Sequence, residues 1–191
     1  MGKLLCFVYD TMADFETNLA AHMLADADKE VLAIGYEKRL YKGLSNFNFA
    51  TTYTVKEALD LKDIEGILIP GGWERDCREE LITLIQNLYA DNKLVASICA
   101  GPEFLAKAGV LEGHKFTTTM TPERYEELAC EDPFNREHYL NQRVVVDRNI
   151  ITAVGRAYIE FGLAILDYFK SFENVEERAS YIEMYRGYVD S

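Results

Sequence analysis

An α/β fold, a three-layer sandwich with one mostly parallel sheet and helices on both faces, is predicted by three features of the sequence. Short apolar runs alternate with helical patterns along most of the 191 residues, which is typical of parallel strands joined by helices. No linker or repeat divides the chain, so we predict a single domain over residues 1–191. Hydrophobic residues make up 49% of the sequence and charged residues 27%, which is ample material for a core.

The first half of the chain supplies most of the predicted sheet. Residues 3–9 are apolar enough for a buried strand. In the helix predicted over 14–27, Phe15, Leu19 and Met23 recur every four residues. The other elements predicted in this half are buried strands at 31–36, 64–69 and 94–98, a helix at 78–90, and a half-exposed strand or hairpin arm at 46–53.

The second half of the chain is more irregular. A short helix over 101–108 is expected to end at Gly109, since glycine is common just after a helix. Residues 117–142 are polar, with one helix around 122–129, and we expect them to form a lid or pocket wall. The remaining predicted elements are a hairpin formed by 143–147 and 150–154 and two final helices at 157–172 and 175–187.

Charge and cysteine usage exclude several functional classes. Twenty Lys and Arg against 32 Asp and Glu give a net charge of −12, which repels nucleic-acid phosphates, and no basic patch offsets it. The four cysteines form no CxxC pair and no metal-ligand spacing, so we expect free thiols, no metal and no cofactor. Nothing at the N-terminus resembles a signal peptide, and no apolar segment has the length of a membrane helix. These features predict a cytoplasmic protein without nucleic-acid or membrane partners.

Small and polar residues follow three of the predicted strands. Asp14-Phe15-Glu16 comes after the first strand, and Gly71-Gly72-Trp73 and Cys99-Ala100-Gly101 come after two later ones. In open parallel sheets, ligands bind beyond the carboxyl ends of the strands, where helix N-termini point into a crevice. We therefore expect these three segments to form one site. The sequence does not decide whether Trp73 lines that site or caps the core.

The third segment has the pattern of a nucleophile elbow. Ser97-Ile98-Cys99-Ala100-Gly101 places a cysteine between small residues, where a buried strand meets a helix. The sharp turn of such an elbow lifts the nucleophile clear of the sheet, and the helix dipole favours a thiolate. Cys99 is therefore the candidate nucleophile. The simpler interpretation, that Cys99 only packs in a tight strand–helix turn, stays open at this point.

Three motifs together resemble the ThiJ/PfpI superfamily, the intracellular-protease-like relatives of class I glutamine amidotransferases. The motifs are 67–72 (ILIPGG), 95–102 (VASICAGP) and 105–113 (LAKAGVLEG). The resemblance implies a flavodoxin-like sheet, a reactive cysteine at Cys99 with Glu16 as its partner, and an oxyanion hole formed by the backbone N–H groups of Gly72 and Ala100. It also implies a homodimer.

Glu16 has two interpretations. The resemblance places its carboxyl group beside the sulfur, where burial and like charge raise its pKa so that it can donate a hydrogen bond to a thiolate. The alternative is an exposed acid in the first turn of a helix, which only complements the helix dipole.

Histidine is absent from both places where amide-cleaving relatives carry one. The residue after the cysteine is Ala100, and the segment after the next strand is 117–122 (TTTMTP). We expect structural roles for His22 and for His114, which is predicted to lie at the surface. His138 stands in the polar segment and is the one histidine placed to fold back over the site.

Three functions stay open after this reasoning. The first is a Cys99-dependent hydrolase, or a glyoxalase- or deglycase-type enzyme, that acts on small carbonyl or amide substrates. The second is a non-hydrolytic, oxidative-stress-responsive protein whose Cys99 is the redox-sensitive site. The third is an interaction protein.

Two further features each have two possible roles. Arg156 either pairs with Glu160 or binds a carboxylate of the substrate. The last predicted helix carries a stripe of tyrosines, which either packs on the core or contacts a partner; its members are Tyr181, Tyr185 and Tyr188.

Overall fold

The computed structural model describes residues 2–186, in which nine strands are formed. They are β1 (Gly2–Phe7), β2 (Lys29–Gly35), β3 (Leu40–Lys42), β4 (Asn48–Ala50), β5 (Tyr53–Thr54), β6 (Ile64–Ile69), β7 (Leu94–Ile98), β8 (Val144–Asp147) and β9 (Ile150–Ala153). Seven of them form the main sheet in the order β5-β2-β1-β6-β7-β9-β8, while β3 and β4 form a separate ribbon. Neighbouring strands of the main sheet are parallel except for β8 and β9. The mostly parallel sheet predicted from the sequence is confirmed.

Helices cover both faces of this sheet. They are α1 (Phe15–Asp26), α2 (Val55–Ala58), α3 (Glu79–Ala90), α4 (Pro102–Lys107), α5 (Pro122–Glu127), α6 (Tyr158–Tyr168) and α7 (Val175–Arg186). On one face α1 packs against α6, and on the other α3 packs against α2 and α4. Every residue of β7 is buried, as expected for a strand that is covered on both faces. The three-layer arrangement predicted from the sequence is thus present.

Residues 46–53 do not form one continuous strand. Part of this segment is β4, which pairs antiparallel with β3 and is the hairpin arm anticipated from the alternating pattern. The chain then leaves the ribbon, because the Thr52 N–H donates a 2.7 Å hydrogen bond to the carbonyl of Ala33 in β2. That contact starts β5, which joins the edge of the main sheet.

Helix α6 ends at Tyr168, earlier than the predicted boundary at 172. Lys170 adopts a left-handed conformation with φ of 53°. Lys170 and Ser171 donate hydrogen bonds of 3.0 Å to the carbonyls of Asp167 and Leu166, respectively. This Schellman motif satisfies the last carbonyls of the helix. A lysine in the left-handed position gives no sequence signal comparable to the glycine that follows α4.

His114 is buried, so the prediction that it lies at the surface is wrong. Its side chain has no exposed area, and its Nε2 lies 2.9 Å from the hydroxyl of Tyr89 in α3. Its Nδ1 is 3.6 Å from the carboxylate of Asp147 at the end of β8. Burial lowers the pKa of His114. Its imidazole therefore lies between α3 and the β8–β9 hairpin.

The tyrosine stripe of α7 contacts the molecule itself. Tyr181 packs its ring against Phe172, with ring centroids 5.5 Å apart. Its hydroxyl lies 3.0 Å from the Asp26 carboxylate at the end of α1, and the Tyr185 hydroxyl lies 3.5 Å from the same group. Tyr188, the third member of the stripe, falls outside the described residues.

The order of the strands places a crevice at the end of β1. The chain adds β2 on one side of β1 and then β6 on the other side, so the connections leave β1 in opposite directions. Such a switch point opens a crevice at the carboxyl ends of the strands. Within residues 2–186, no helix combines the length and the apolar character that a membrane crossing requires.

Candidate active site

Three strand ends meet at the switch point. Because β1, β6 and β7 are neighbours in the sheet, the segments that follow them converge on Glu16, Gly71 and Cys99. The Gly71 N–H donates a 2.8 Å hydrogen bond to the Glu16 carboxylate, and the Cys99 sulfur is hydrogen bonded to the same group. Glu16 is only 2% exposed, which rules out the exposed first-turn position considered for it.

Cys99 lies in the sharp elbow between β7 and α4. Its φ of 63° falls in the left-handed region, which a side chain disfavours. Its N–H donates to the Ala153 carbonyl at 2.8 Å, and its own carbonyl accepts the Thr119 N–H at 2.9 Å and the Thr118 hydroxyl at 2.8 Å. Three hydrogen bonds thus hold the strained turn that presents the sulfur to the crevice.

Two glycines leave room for the sulfur. A β-carbon added at Gly71 would lie 2.9 Å from the Cys99 Sγ, and one added at Gly155 would lie 3.0 Å from it. Both distances are shorter than van der Waals contact. At Gly155 the added carbon would also approach a Glu16 oxygen at 2.8 Å. The reactive pair is therefore enclosed by backbone from three loops.

Burial shapes the ionisation of the Glu16–Cys99 pair. It raises the pKa of the Glu16 carboxyl group to about 7, although hydrogen bonds from Gly71 and Cys99 offset part of the rise. It also raises the pKa of the Cys99 thiol to about 12, and the charge of Glu16 adds to that rise. While Glu16 is ionised, these effects outweigh the helix dipole that was expected to favour the thiolate. Because two adjacent anions repel, the pair holds at most one negative charge near neutral pH.

Gly72 and Ala100 are the two residues whose backbone N–H groups were predicted to form an oxyanion hole. The Ala100 N–H is hydrogen bonded to Cys99. The Gly71 carbonyl accepts the Ala13 N–H at 2.8 Å. In a trans peptide the C=O and N–H groups point in opposite directions, so the Gly72 N–H is directed away from Ala13. Gly72 and Ala100 both line the cleft that contains Cys99, as donors to a developing oxyanion must.

Thr119 is a site residue that sequence reasoning missed. Its hydroxyl accepts the Gly155 N–H at 3.1 Å, and it is hydrogen bonded to the Cys99 sulfur, which lowers the pKa of the thiol. Thr119 lies in the 117–122 segment, one of the two places where an amide-cleaving member of the family would be expected to carry a histidine. The sequence signal that could have indicated it is the run of three threonines at 117–119, because a hydroxyl side chain can both donate and accept a hydrogen bond.

The candidate histidine and Arg156 do not meet Cys99. His138 lies in a 3₁₀ turn at Arg136–His138, is half-buried, and is not among the residues of the described chain that line the cleft. Arg156 is exposed. Glu160, its expected partner, binds Arg143 with an Nη2–Oε2 distance of 3.1 Å.

An open cleft of about 400 Å³ lies in front of the sulfur. Its walls are formed by Ala13, Leu44, Gly72, Trp73, Arg75, Cys99, Ala100, Thr119, Met120, Thr121, Glu123, Arg124 and Glu127. Trp73 is 63% exposed at this cleft, so it lines the site rather than capping the core. Behind the wall, Arg75 Nε lies 2.8 Å from the Glu103 carboxylate, and these side chains are only 10% and 7% exposed.

Comparison with known proteins shows which family this chain resembles. A family model described as the DJ-1/PfpI family matches residues 2–168. An uncharacterised protein of Methanocaldococcus jannaschii is 42% identical over 88 residues, which are 46% of this chain and 41% of that protein, so less than half of that relative is spanned. A deglycase of Thermococcus kodakarensis is 26% identical over 155 residues, covering 79% of this chain and 89% of that protein. Other relatives are named as deglycases or uncharacterised proteases.

The fold has close counterparts among solved structures. A DJ-1 superfamily protein from Agrobacterium tumefaciens superposes with a TM-score of 0.82 at 25% identity, covering 97% of each chain. The likeness includes the whole sheet and its flanking helices, and the family model covers most of the sequence. The chain belongs to the DJ-1/PfpI family.

Proposed function

We propose that this protein is a cysteine-dependent enzyme of the deglycase or glyoxalase type, acting on reactive carbonyl compounds or their adducts. The observation that carries the proposal is the buried Glu16 carboxyl group hydrogen bonded to the Cys99 sulfur at the head of an open cleft. The names of the deglycase relatives support the same reaction class. Catalytic roles are assigned to Cys99 and Glu16, and the backbone N–H groups of Gly72 and Ala100 are assigned to the oxyanion hole.

The first chemical step starts from the form of the site in which Glu16 is ionised and Cys99 is protonated. The Cys99 proton moves to the Glu16 carboxylate, and the thiolate then attacks the carbonyl carbon, forming a C–S bond as the carbonyl π electrons move to oxygen. The oxyanion receives hydrogen bonds from Gly72 and Ala100. Glu16 returns the proton to that oxygen, which gives a neutral hemithioacetal or hemithioketal. A carboxyl group with a pKa of about 7 is suited to both transfers near neutral pH.

Cleavage of ordinary peptide bonds is the second candidate reaction, and the geometry of the site favours it less than addition to an aldehyde. Expulsion of an amine requires a proton donor on the leaving-group side, which relatives that cleave amides usually supply as histidine. No histidine within residues 2–186 lines the cleft. Addition to an aldehyde expels no amine and needs only the thiolate and one carboxyl group.

The proposal predicts that Cys99→Ser abolishes consumption of small α-oxo aldehydes. The expected loss is at least roughly 10³-fold in kcat/KM, because a hydroxyl does not replace the thiolate as nucleophile here. The measurement is the rate of aldehyde disappearance, with Cys130→Ser as the matched control because Cys130 is an exposed free thiol. Equal rates for wild type and Cys99→Ser would refute the proposal. A wild type that turns over no carbonyl or amide while peroxide oxidises Cys99 first would favour the redox role.

We further infer a homodimer in a cytoplasmic setting. The family resemblance leads us to expect the dimer, and the β3–β4 ribbon offers exposed apolar side chains for it, with Leu40 60% and Phe47 69% exposed. The free cysteines are consistent with a reducing compartment. Light scattering is expected to give twice the chain mass of 21.8 kDa. A monomer mass, or an unchanged dimer in Phe47→Asp, would contradict the role given to this ribbon.

A further inference from the structure

The cleft wall next to the sulfur is largely apolar. Ala13, Leu44, Trp73 and Met120 all line it. Trp73 exposes 63% of its surface, although a buried aromatic side chain of this size is normally among the largest contributors to packing. Leu44, which lines the same cleft, is 45% exposed. An apolar group of a substrate would therefore find an aromatic platform and aliphatic contacts within the same cleft.

The cations at the cleft are matched by acids of the protein. Arg75 is paired with Glu103 at 2.8 Å, and its Nη1 also donates to the Gly72 carbonyl at 2.6 Å. Arg124 lies 2.7 Å from Glu127. Two positive charges are thus neutralised before any ligand arrives. Anionic substrate groups would have to compete with carboxylates that are already bound.

Glu123 adds a further negative charge to the same cleft. Its hydrogen bonds with the Thr121 hydroxyl and with backbone lower the pKa of its carboxyl group, so it is ionised at neutral pH. Arg124 meanwhile lies 5.9 Å from the Trp73 ring centroid, within the range of a cation–π contact that steadies one side of the ring. Among the described residues that line the cleft, Arg75 and Arg124 each have a carboxylate partner, so neither cation is left over for a negatively charged ligand.

The size of the cleft also exceeds what a very small substrate fills. Ligand sites for drug-sized molecules begin at roughly 300 Å³, and this cleft measures about 400 Å³. A two- or three-carbon aldehyde bound at Cys99 would leave Trp73 and Leu44 in contact with water.

We propose that the cleft selects uncharged carbonyl substrates or adducts that carry an aromatic or branched aliphatic group packed on Trp73, and that it rejects carboxylates. The inference rests on the proposed function for the identity of the reacting carbonyl. Trp73 is the specificity-determining residue for the apolar group, and Glu123 is the specificity-determining residue against negative charge.

Binding to Cys99→Ser tests this selectivity without turnover. Trp73 is the only tryptophan of the chain, so its fluorescence reports occupancy of the cleft directly. The probes are N-acetylphenylalaninamide, which is neutral and aromatic; N-acetylglycinamide, which is neutral and small; and N-acetylphenylalanine, which carries a carboxylate. We expect the aromatic amide to bind roughly tenfold or more tightly than either of the others, since burial of an aromatic side chain contributes at that level.

Two variants assign the selectivity to its residues. Trp73→Ala, followed by calorimetry, should remove the preference for the aromatic over the small amide. Glu123→Gln should shrink the discrimination against the carboxylate, whereas Glu176→Gln, an exposed acid on α7, should leave it unchanged. Equal binding of the two neutral amides, or binding of the carboxylate as tight as that of its amide, would overturn the inference.

The failures of the two proposals are distinguishable. If wild type consumes no carbonyl compound but Cys99→Ser still prefers the aromatic amide, the reaction is wrong and the binding selectivity stands. If wild type consumes aldehydes but Cys99→Ser shows no preference, the reaction stands and the selectivity is wrong.

Discussion

Around the Cys99 sulfur, individual residues act on the thiol in opposite directions. Burial and the charge of Glu16 raise its pKa, while the hydrogen bonds of Thr119 and Ala100 lower it. The Thr119 hydroxyl has one proton, and at Gly155 it acts as an acceptor because an amide N–H can only donate. Its proton is therefore free to be donated to sulfur. Thr119 lies in one of the two segments where a histidine was predicted for an amide-cleaving enzyme, and it supplies a hydrogen-bond donor without adding a charge.

This assignment predicts that Thr119→Val raises the apparent pKa of Cys99. Loss of one hydrogen bond to a charged group changes the free-energy difference between thiol and thiolate by roughly 1.5–3 kcal/mol, which corresponds to a pKa change of about one to two units. The measurement is the pH dependence of alkylation by iodoacetamide. Thr119→Ser keeps the hydroxyl and should titrate like wild type. Thr118→Val loses the bond to the Cys99 carbonyl and the bond from the Met120 N–H. Neither of these bonds involves the sulfur, so this variant should affect stability rather than titration. A Thr119→Val profile that overlays wild type would contradict the donor role.

At the scale of elements, a buried ion pair connects the loops of the site. Glu103 in α4 binds Arg75 after β6, Lys107 one turn further along α4, and the Tyr125 hydroxyl of α5 at 2.9 Å. Arg75 also holds the Gly72 carbonyl. Helix α4, which follows the nucleophile, is thereby joined to the loop that contains Gly72 and to helix α5. The Arg75–Glu103 pair therefore holds the backbone at Gly72, whose N–H group is proposed for the oxyanion hole.

The sequence predicts the elements that are marked by neighbouring residues. It does not predict the side-chain contacts that connect one element to another. The elbow at Cys99 and the end of α4 are set by neighbouring small residues and a glycine, so the sequence indicates them directly. Three features of the structure depend on residues that lie about 20 to 35 positions apart in the chain. They are the contact of Thr119 with Cys99, the pairing of Arg75 with Glu103 and the burial of His114. Such pairings appear only after the sheet order is known. The early end of α6 was missed because its left-handed residue is a lysine.

For the whole molecule, the site has a cost in stability that the rest of the fold must offset. Glu16 and Glu103 are both almost fully buried, at 2% and 5% exposure. Burial would raise the pKa of Glu103, but Lys107 and Arg75 outweigh it and lower that pKa. Glu16 faces a thiol and backbone instead, and its pKa rises to about 7. One buried acid thus stabilises the folded chain when ionised, and the other destabilises it.

These opposite shifts predict opposite effects of two glutamine substitutions on the free energy of unfolding. Between its ordinary pKa of 4.5 and about 7, Glu16 stays protonated in the folded chain but ionises in the unfolded chain, so stability falls as pH rises through this window. A shift of that size corresponds to about 3 kcal/mol. Glu16→Gln, which keeps an acceptor for the Gly71 N–H, should therefore be more stable than wild type at pH 8 by up to about that amount and nearly unchanged at pH 4.

Glu103→Gln is the matched comparison, because it leaves Arg75 buried without its counter-charge. It should lower the free energy of unfolding at pH 8 by roughly 3–5 kcal/mol. Urea denaturation at pH 4 and pH 8 measures both variants and wild type. If Glu16→Gln lost stability at pH 8 as Glu103→Gln does, the Glu16 carboxyl group would be a structural anion rather than a strained acid. The site would then lack the proton that the thiolate chemistry requires. A gain confined to high pH, together with lost aldehyde turnover, would show that this fold keeps a destabilising acid for its function.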